Sequence, residues 1–233
     1  MEDRFFHGQS SMKEEGISMK YQGVIFDLDG TLLDTLTDLW KAVDAACRKY
    51  GYAPRTRLQV RRALGNGLER LLRLSLPEDI GEEPFQAVFQ FFRGYYLEHC
   101  HEETRPYKGI PELLCQLQQK GIRMAIVSNK AHPAVLELRD RYFPETLQVA
   151  IGESREIRRK PAPDTVFKAL EELGISREQA VYVGDSEVDK KTADNAGMDC
   201  FLVTWGFRDR DELAALEPTA LIDRPEQILE RVM

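Results

Sequence analysis

The segment Val24-Ile25-Phe26-Asp27-Leu28-Asp29-Gly30-Thr31 contains a short apolar run that leads directly into two carboxylates, a glycine and a hydroxyl. Valine, isoleucine and phenylalanine favour strands, and an apolar run without polar alternation is typical of a strand covered on both faces. We therefore expect a buried strand that ends at Asp27 or Leu28, with the rest of the stretch in the turn that follows.

Further apolar runs of the same kind recur along the chain. They occupy residues 122–127, 147–151, 180–183, 201–203 and 220–222. Between the runs, residues 111–120 and 163–173 carry apolar side chains at helical spacing, and a glycine follows each segment as a helix stop. Strands that alternate with helices indicate βαβ units, so the sequence predicts an α/β fold with a Rossmann-like parallel sheet.

Residues 35–104 interrupt this alternation, because they contain helical patterns and no convincing strand. Thr35 with Asp38 three residues later resembles a helix capping box. The expected division of the chain is a flexible tail, a core and an inserted all-helical cap, over residues 1–18, 19–34 with 105–233, and 35–104. Hinges are expected where the chain crosses between cap and core, at Thr35 and near Arg105-Pro106.

Charge and cysteine content restrict the possible partners. The 233 residues carry a formal net charge of -7, which disfavours nucleic acid or an anionic membrane as the main partner. No apolar run approaches the ~18 residues that a membrane span requires. The cysteines are widely spaced, which predicts buried free thiols in a reducing cytosol: Cys47, Cys100, Cys115 and Cys200. We expect a cytoplasmic protein, a monomer or homodimer, that acts on a small molecule.

Polar side chains follow three of the predicted strands. They are Asp27 and Asp29 after the first, Ser128 and Asn129 after the second, and Asp185 with Asp189 after the fourth. Because parallel α/β sheets bind ligands at the carboxyl ends of their strands, these groups are expected to converge. Clustered carboxylates repel one another and require a cation, and hard oxygen ligands beside a phosphate favour Mg²⁺.

The same residues provide the groups that phosphoryl transfer needs, which are a nucleophile, a proton shuttle and donors around the phosphate. Asp27 can act as the nucleophile and form an aspartyl-phosphate, while Asp29 protonates the leaving oxygen and later activates water. Lys160, followed by Pro161-Ala162-Pro163, adds a cation on a stiff loop. The residues expected to bind the phosphate from the core are Gly30, Thr31, Ser128 and Asn129.

Four segments, taken in order, resemble the motifs of the haloacid dehalogenase-like hydrolase superfamily. They are Asp27-Leu28-Asp29-Gly30-Thr31 with Asp34, Ser128-Asn129, Lys160-Pro161-Ala162-Pro163, and Gly184-Asp185-Ser186 with Asp189. The resemblance covers residues 20–233 and implies a Rossmann-like core, Mg²⁺ and the roles assigned above. The metal ligands it implies are Asp27, Asp185 and the backbone carbonyl of Asp29, with Asp189 in support. Residues 61–72 and 205–207 are similar to the phosphoglycolate phosphatase-like branch.

Within that superfamily, an aspartate at position 29 implies phosphate chemistry, since dehalogenases lack an acid there and phosphonatases depart from aspartate. The cap is expected to contribute the loop Gly65-Asn66-Gly67, whose backbone N–H groups can point at a ligand. Arg62, one of six arginines between positions 55 and 73, is a candidate for an anionic tail. The sequence thus predicts a Mg²⁺-dependent phosphatase for a small phosphorylated metabolite, with 2-phosphoglycolate as the first candidate.

Three alternatives stay open at this point. They are a β-phosphoglucomutase-like sugar-phosphate mutase, a pyrophosphatase or nucleotidase, and a catalytically silent binding protein on the same fold. The glycine-flanked cap loop favours the hydrolase over the mutase. The full set of acidic and basic motif residues argues against the silent protein.

Overall fold

The computed structural model describes residues 20–233, so the predicted flexible tail over residues 1–18 lies outside the described residues. The strands are β1 Gly23–Phe26, β2 Leu33–Asp34, β3 Arg105–Pro106, β4 Arg123–Ala131, β5 Val149–Glu153, β6 Ala180–Gly184, β7 Asp199–Val203 and β8 Ala220–Ile222. Six of them form a parallel sheet in the order β5-β4-β1-β6-β7-β8. The predicted α/β fold is therefore confirmed, and each of its six predicted strands is present.

Helices surround this sheet and fill the long segment between β2 and β3. They are α1 Leu36–Tyr50, α2 Arg57–Ala63, α3 Gly67–Ser75, α4 Glu82–His99, α5 Ile110–Gln119, α6 His132–Tyr142, α7 Asp164–Leu173, α8 Glu187–Ala196, α9 Arg210–Ala214 and α10 Glu226–Val232. The helices predicted over residues 111–120 and 163–173 correspond to α5 and α7. Gly174 ends α7 in the left-handed region at φ 64°, as expected of a glycine stop.

Both faces of the sheet are covered, which explains why its strands lack alternation. Val24 and Phe26 of β1 point into one apolar cluster, which also contains side chains of α5, α6 and α10. Ile25 points into the cluster on the other face, with side chains of α7 and α8. All three are fully buried, and burial of such a side chain contributes about 1.5–3 kcal/mol.

Helices α1 to α4 pack around an apolar cluster of their own, which Phe207 joins from the sheet side of the molecule. The chain enters this helical unit after β2 and returns through β3, and these two short strands pair antiparallel. The helical unit is thus a contiguous insertion after the first strand of the sheet. Its exact division from the core at residues 35 and 104 stays a prediction.

The predicted capping box at the start of α1 is wrong. Thr35 occupies the N-cap position, but its hydroxyl makes no capping hydrogen bond and finds no other partner among residues 20–233. The Asp38 carboxylate instead accepts hydrogen bonds from the Glu103 N–H at 3.0 Å and from the Thr104 N–H and hydroxyl at 2.9 and 2.8 Å. Asp38, at the start of the helical unit, therefore binds the segment through which the chain leaves that unit.

Replacing Asp38 with alanine is expected to lower the free energy of unfolding by about 3 kcal/mol, because buried donors then lose a charged acceptor. Urea denaturation provides the measurement. The control is Asp44→Ala on the same helix, since Asp44 pairs near the surface with Arg48 and such pairs contribute about 0.3–0.5 kcal/mol. Equal losses in the two variants would contradict this role of Asp38.

The four cysteines are free, as predicted, but their burial differs from the expectation. Cys47 and Cys200 are buried, whereas Cys115 is exposed on α5. Over residues 20–233, no helix combines the length and the apolar character needed to cross a bilayer.

Candidate active site

A cavity lies at the carboxyl edge of the sheet, where β1, β4 and β6 end. Its sheet side is lined by Asp27, Asp29, Ser128, Asn129, Lys130, Lys160, Asp185, Ser186 and Asp189. Its other side is lined by Leu39, Leu64, Gly65, Gly67, Leu68, Leu71 and Phe207. Residues of the sheet side that lie up to about 160 positions apart in the sequence thus face one space, because parallel strands end at the same edge.

Lys160 is the centre of a buried network in this cavity. Its ammonium donates to Asp27 Oδ1 at 2.7 Å, to Asp189 Oδ1 at 2.8 Å and to the Tyr182 hydroxyl at 3.0 Å. A lysine ammonium has three N–H donors, so each of them is occupied. Lys160 is only 4% exposed, and the charges of its carboxylate partners outweigh burial and raise its pKa well above the usual value.

Asp189 is held by donors on both of its carboxylate oxygens. Oδ1 accepts from Lys160 and, at 2.9 Å, from the Tyr182 hydroxyl. Oδ2 accepts from the Ser186 hydroxyl at 2.6 Å and from the N–H groups of Ser186 and Asp185 at 3.1 and 3.2 Å. Burial opposes ionisation of Asp189, but the Lys160 charge and these hydrogen bonds hold its pKa below the usual value. Asp189 is therefore suited to position other groups.

The buried carboxylates of Asp27 and Asp185 accept fewer hydrogen bonds than that of Asp189. Burial raises the pKa of Asp27 to about 7, although the Lys160 charge acts in the opposite direction. Burial, followed by the charges of Asp189 and Asp27, raises the pKa of Asp185 well above its usual value. Asp185 accepts one short hydrogen bond, from the Phe207 N–H at 2.6 Å. The network thus contains more buried acid than the Lys160 charge can offset.

The donor set fits a hard divalent cation. Asp27, Asp185 and Asp189 each offer an oxygen, and these atoms lie within 4.8 Å of one another. Carboxylate oxygens are preferred by Mg²⁺, and its charge would offset the excess of buried carboxylates. Because the oxygens of Asp189 are already engaged, Asp27 and Asp185 are the side chains of this group best placed to hold the ion.

Mg²⁺ is expected to stabilise the protein more strongly at high pH than at low pH. The pKa of Asp27 is higher in the folded protein than in the unfolded chain, so protonation of Asp27 stabilises the metal-free fold. This contribution is complete below the pKa of an unfolded carboxyl and is lost as the pH rises through about 7. Mg²⁺ would bind these carboxylates in their deprotonated form, so its increment in Tm should be larger at about pH 8 than at about pH 6. Thermal melts of wild type and Asp185→Asn test this. An increment independent of pH, or unchanged in the variant, would contradict the assigned site.

Two glycines allow the backbone to pass close to Asp185. Gly30 has φ 94°, and a Cβ there would lie 2.4 Å from Asp185 Oδ2. A Cβ on Gly206 would also lie 2.4 Å from that oxygen. Thr31, beside Gly30, places its hydroxyl 3.4 Å from Asp185 Oδ1. The loop after β1 and the loop after β7 therefore close around this carboxylate, which explains the glycine in each.

A second lysine, which the sequence reading missed, contacts Asp29. The Lys130 ammonium donates to Asp29 Oδ1 at 3.2 Å and to the Tyr96 hydroxyl on α4 at 2.7 Å. Burial lowers the pKa of Lys130, but the Asp29 charge outweighs this effect and leaves the pKa above its usual value. Lys130 directly follows the predicted pair Ser128-Asn129, and that position was the one available sign of its place in the site.

Asn129 connects the core to the helical unit in this structure. Its amide nitrogen donates to the Lys160 carbonyl at 3.1 Å and to the Gly65 carbonyl at 3.3 Å. Ser128 accepts the Lys130 N–H at 3.1 Å through its hydroxyl oxygen, so its own hydroxyl hydrogen stays available as a donor. Ser128 is therefore better placed than Asn129 to bind an anion.

The predicted cap loop reaches the cavity through its glycines. Gly65 and Gly67 line the cavity and have φ values of 111° and 82°, in the region that favours glycine. Asn66 lies between them as the N-cap residue of α3, without a side-chain capping bond. The loop therefore brings backbone rather than side chains to the site.

The prediction that Arg62 contacts an anionic tail of the substrate needs correction, because the structure places Arg62 in a separate groove with Arg55 and Gln59. Its neighbour Arg61 faces the core instead and donates to the Gly206 carbonyl at 3.0 Å. Successive residues of a helix point about 100° apart, so the adjacent side chains of Arg61 and Arg62 face different surroundings. In return, Arg208 of the core donates to the Leu64 carbonyl of the helical unit at 2.8 Å.

Comparison with known proteins places this geometry in context. Residues 24–203 match the family model of haloacid dehalogenase-like hydrolases. The chain is 34% identical over 216 residues to phosphoglycolate phosphatase 1 of Pseudomonas aeruginosa, across 88% of this chain and 78% of that protein. It is 28% identical over 217 residues to an N-acetylmuramic acid 6-phosphate phosphatase of the same species, across 91% and 95%. A solved structure of a proposed phosphoglycolate phosphatase from Lactobacillus delbrueckii subsp. bulgaricus superposes with a TM-score of 0.87 at 35% identity, across 92% and 99%.

Proposed function

The chain belongs to the haloacid dehalogenase-like hydrolase family and is a phosphatase, and we propose that it hydrolyses a small phosphorylated acid with Mg²⁺ through an aspartyl-phosphate on Asp27. The observation that carries the proposal is the buried network in which Lys160 holds one Asp27 oxygen, beside Asp185 and Asp189. Such a network keeps a carboxylate oriented at the end of a rigid strand, as a nucleophile requires.

Asp27 is set up to attack phosphorus with its second oxygen. Lys160 donates to Oδ1, and among the described residues no side chain or N–H donates to Oδ2. In the first step, a bond forms between this oxygen and phosphorus while the bond from phosphorus to the leaving oxygen breaks. Mg²⁺, when bound by Asp27 and Asp185, supplies the positive charge that reduces repulsion between the carboxylate and the phosphate.

Asp29 is the proposed proton shuttle in both steps. It lies two residues beyond Asp27 and lines the same cavity. It gives a proton to the leaving oxygen in the first step, and in the second it takes a proton from the water that attacks the phosphorus of the aspartyl-phosphate. The second step releases inorganic phosphate and regenerates the Asp27 carboxylate.

The helical unit is proposed to limit the substrate to a small molecule. It covers the charged edge of the sheet with leucine side chains from α1 and α3 and with the Gly65–Gly67 loop. A covered site excludes bulk water, which strengthens the electrostatic interactions of the nucleophile and the proton shuttle. Relatives that bear the name phosphoglycolate phosphatase support 2-phosphoglycolate as the first candidate.

A phosphate-release assay over a panel of phosphorylated metabolites with Mg²⁺ tests the proposal. The panel should contain 2-phosphoglycolate, N-acetylmuramic acid 6-phosphate, hexose phosphates, pyrophosphate and nucleotides. We expect the highest kcat/KM with 2-phosphoglycolate and no isomerisation of a hexose 1-phosphate. Folded protein that releases phosphate from none of these compounds, or that isomerises a hexose 1-phosphate without release, would contradict the proposed function.

A further inference from the structure

The cavity has one charged wall and one apolar wall. The charged wall comes from the sheet, and the side chains of the other wall are those of Leu39, Leu64, Leu68, Leu71 and Phe207, beside the backbone of Gly65 and Gly67. These five side chains offer no hydrogen-bond partner, so a charged group placed against them loses its hydration without compensation. A second charge on the substrate, besides its phosphate, is therefore best matched by a cation on the charged wall.

Two cationic side chains line the cavity, Lys130 and Lys160. The three donors of Lys160 are occupied by Asp27, Asp189 and Tyr182. Lys130 has two acceptors, Asp29 and Tyr96, so one of its three N–H groups has no acceptor within the described part of the chain. Of these two lysines, Lys130 is therefore the one with an N–H group available to a substrate.

The position of Lys130 relates this donor to the leaving half of the substrate. Its Nζ lies 3.2 Å from Asp29 Oδ1, which is the group proposed to protonate the leaving oxygen. A group attached one carbon away from the leaving oxygen would therefore come within reach of Lys130. The Tyr96 hydroxyl holds the ammonium from the side of the helical unit, and the Lys130 side chain is only 7% exposed.

We propose, on the basis of the phosphatase function above, that Lys130 binds an anionic group carried by the leaving half of the substrate. The carboxylate would join Asp29 and Tyr96 as the third acceptor of the ammonium. The enzyme would then select phosphate esters of small acids over esters with a neutral leaving group. Lys130 of β4 would then make the contact with the anionic group for which Arg62 was the candidate from the sequence.

A pair of substrates that differ in one group tests this inference. 2-Phosphoglycolate and 2-hydroxyethyl phosphate share the ester linkage and differ in the carboxylate. We expect wild type to prefer the acid by about 100-fold in kcat/KM, since pairing a desolvated charge is worth two or more powers of ten in binding. In Lys130→Met, this preference should fall to less than about fivefold, chiefly through a higher KM for the acid.

Two further variants make the comparison specific. Lys130→Arg keeps the charge and should retain part of the preference. Arg159→Met removes an arginine whose Nη1 lies near Gly67 but which does not line the cavity, so this matched control should keep the wild-type preference. Equal losses on both substrates in Lys130→Met would overturn the inference and would show that Lys130 acts only by positioning Asp29.

A binding experiment on wild type covers the case in which Lys130→Met fails to fold. 3-Phosphonopropionate and propylphosphonate are uncleavable, match the length of 2-phosphoglycolate and differ in the carboxylate, so the inference predicts a Ki about 100-fold lower for 3-phosphonopropionate. Equal inhibition constants would overturn it. Failure of the proposed function looks different, because wild type would then release phosphate from neither ester. Release from both esters at equal kcat/KM would contradict the inference alone.

Discussion

Asp27→Asn is expected to lower the rate of phosphate release by at least about 1,000-fold, because an amide cannot act as the nucleophile. Asparagine has nearly the same shape and can still accept a hydrogen bond from Lys160 through its side-chain oxygen. Since burial raises the pKa of Asp27 to about 7, loss of its charge should leave the Tm unchanged or raise it. A steady-state assay and a thermal melt on the same preparation provide both readouts.

The control for Asp27→Asn is Asp79→Asn, which makes the same chemical change at an exposed position of the helical unit. This variant should retain wild-type activity and Tm. Activity within about tenfold of wild type in Asp27→Asn would mean that another group attacks the phosphate.

Lys160→Met is expected to remove activity and also to destabilise the fold. Asp27 and Asp189 would lose the ammonium that donates to both at 2.7 and 2.8 Å. Removing one partner of a buried ion pair costs about 3–5 kcal/mol, because the remaining charge stays buried without compensation. Urea denaturation without Mg²⁺ measures this loss, and a phosphate-release assay with Mg²⁺ measures the activity.

A double variant separates the two effects of Lys160. Lys160→Met with Asp189→Asn removes one of the carboxylates left unpaired, so part of the lost stability should return. Activity should not return, because Asp27 still lacks the donor that orients it. The assigned role of Lys160 would be contradicted if the single variant were as stable as wild type, or if the double variant recovered activity.

The parts of the fold that local pattern determines could be predicted from the sequence. Each strand of the parallel sheet is an apolar run, because both faces of the sheet are buried. The runs of β1, β4 and β6 lead directly into polar residues of the site. The pair formed by Leu33–Asp34 and Arg105–Pro106 escaped prediction, since a two-residue strand has no period to detect. Its existence depends on the chain crossing into and out of the helical unit.

The errors and omissions in the site arise from contacts between distant residues. Asp38 looked like a local cap, but donors more than sixty positions away compete for its carboxylate. Tyr182 was visible as part of an apolar run, and nothing in that run indicates that its hydroxyl meets Lys160. Lys130 and Tyr96 meet only because α4 covers the sheet edge. Such partners follow from tertiary packing, which a single sequence does not specify position by position.

The arginine assignment shows a different limit, which is helical phase. A cluster of arginines drew attention to α2, but the choice between Arg61 and Arg62 depends on which face of that helix meets the core. In the structure Arg61 contacts the loop that contains Gly206 and Arg62 lies in another groove. The arginine content of the sequence drew attention to this segment, but the direction of each arginine side chain is known only from the structure.

The proposed aspartyl-phosphate on Asp27 can be detected by acid quench and peptide mass spectrometry during hydrolysis of 4-nitrophenyl phosphate. This leaving group needs no proton, so Asp29→Ala should still form the aspartyl-phosphate, while the missing base slows its hydrolysis. One nitrophenolate should be released per enzyme in a burst, with a phosphoryl group on the peptide that contains Asp27. A burst of nitrophenolate with that peptide unmodified would contradict an aspartyl-phosphate on Asp27.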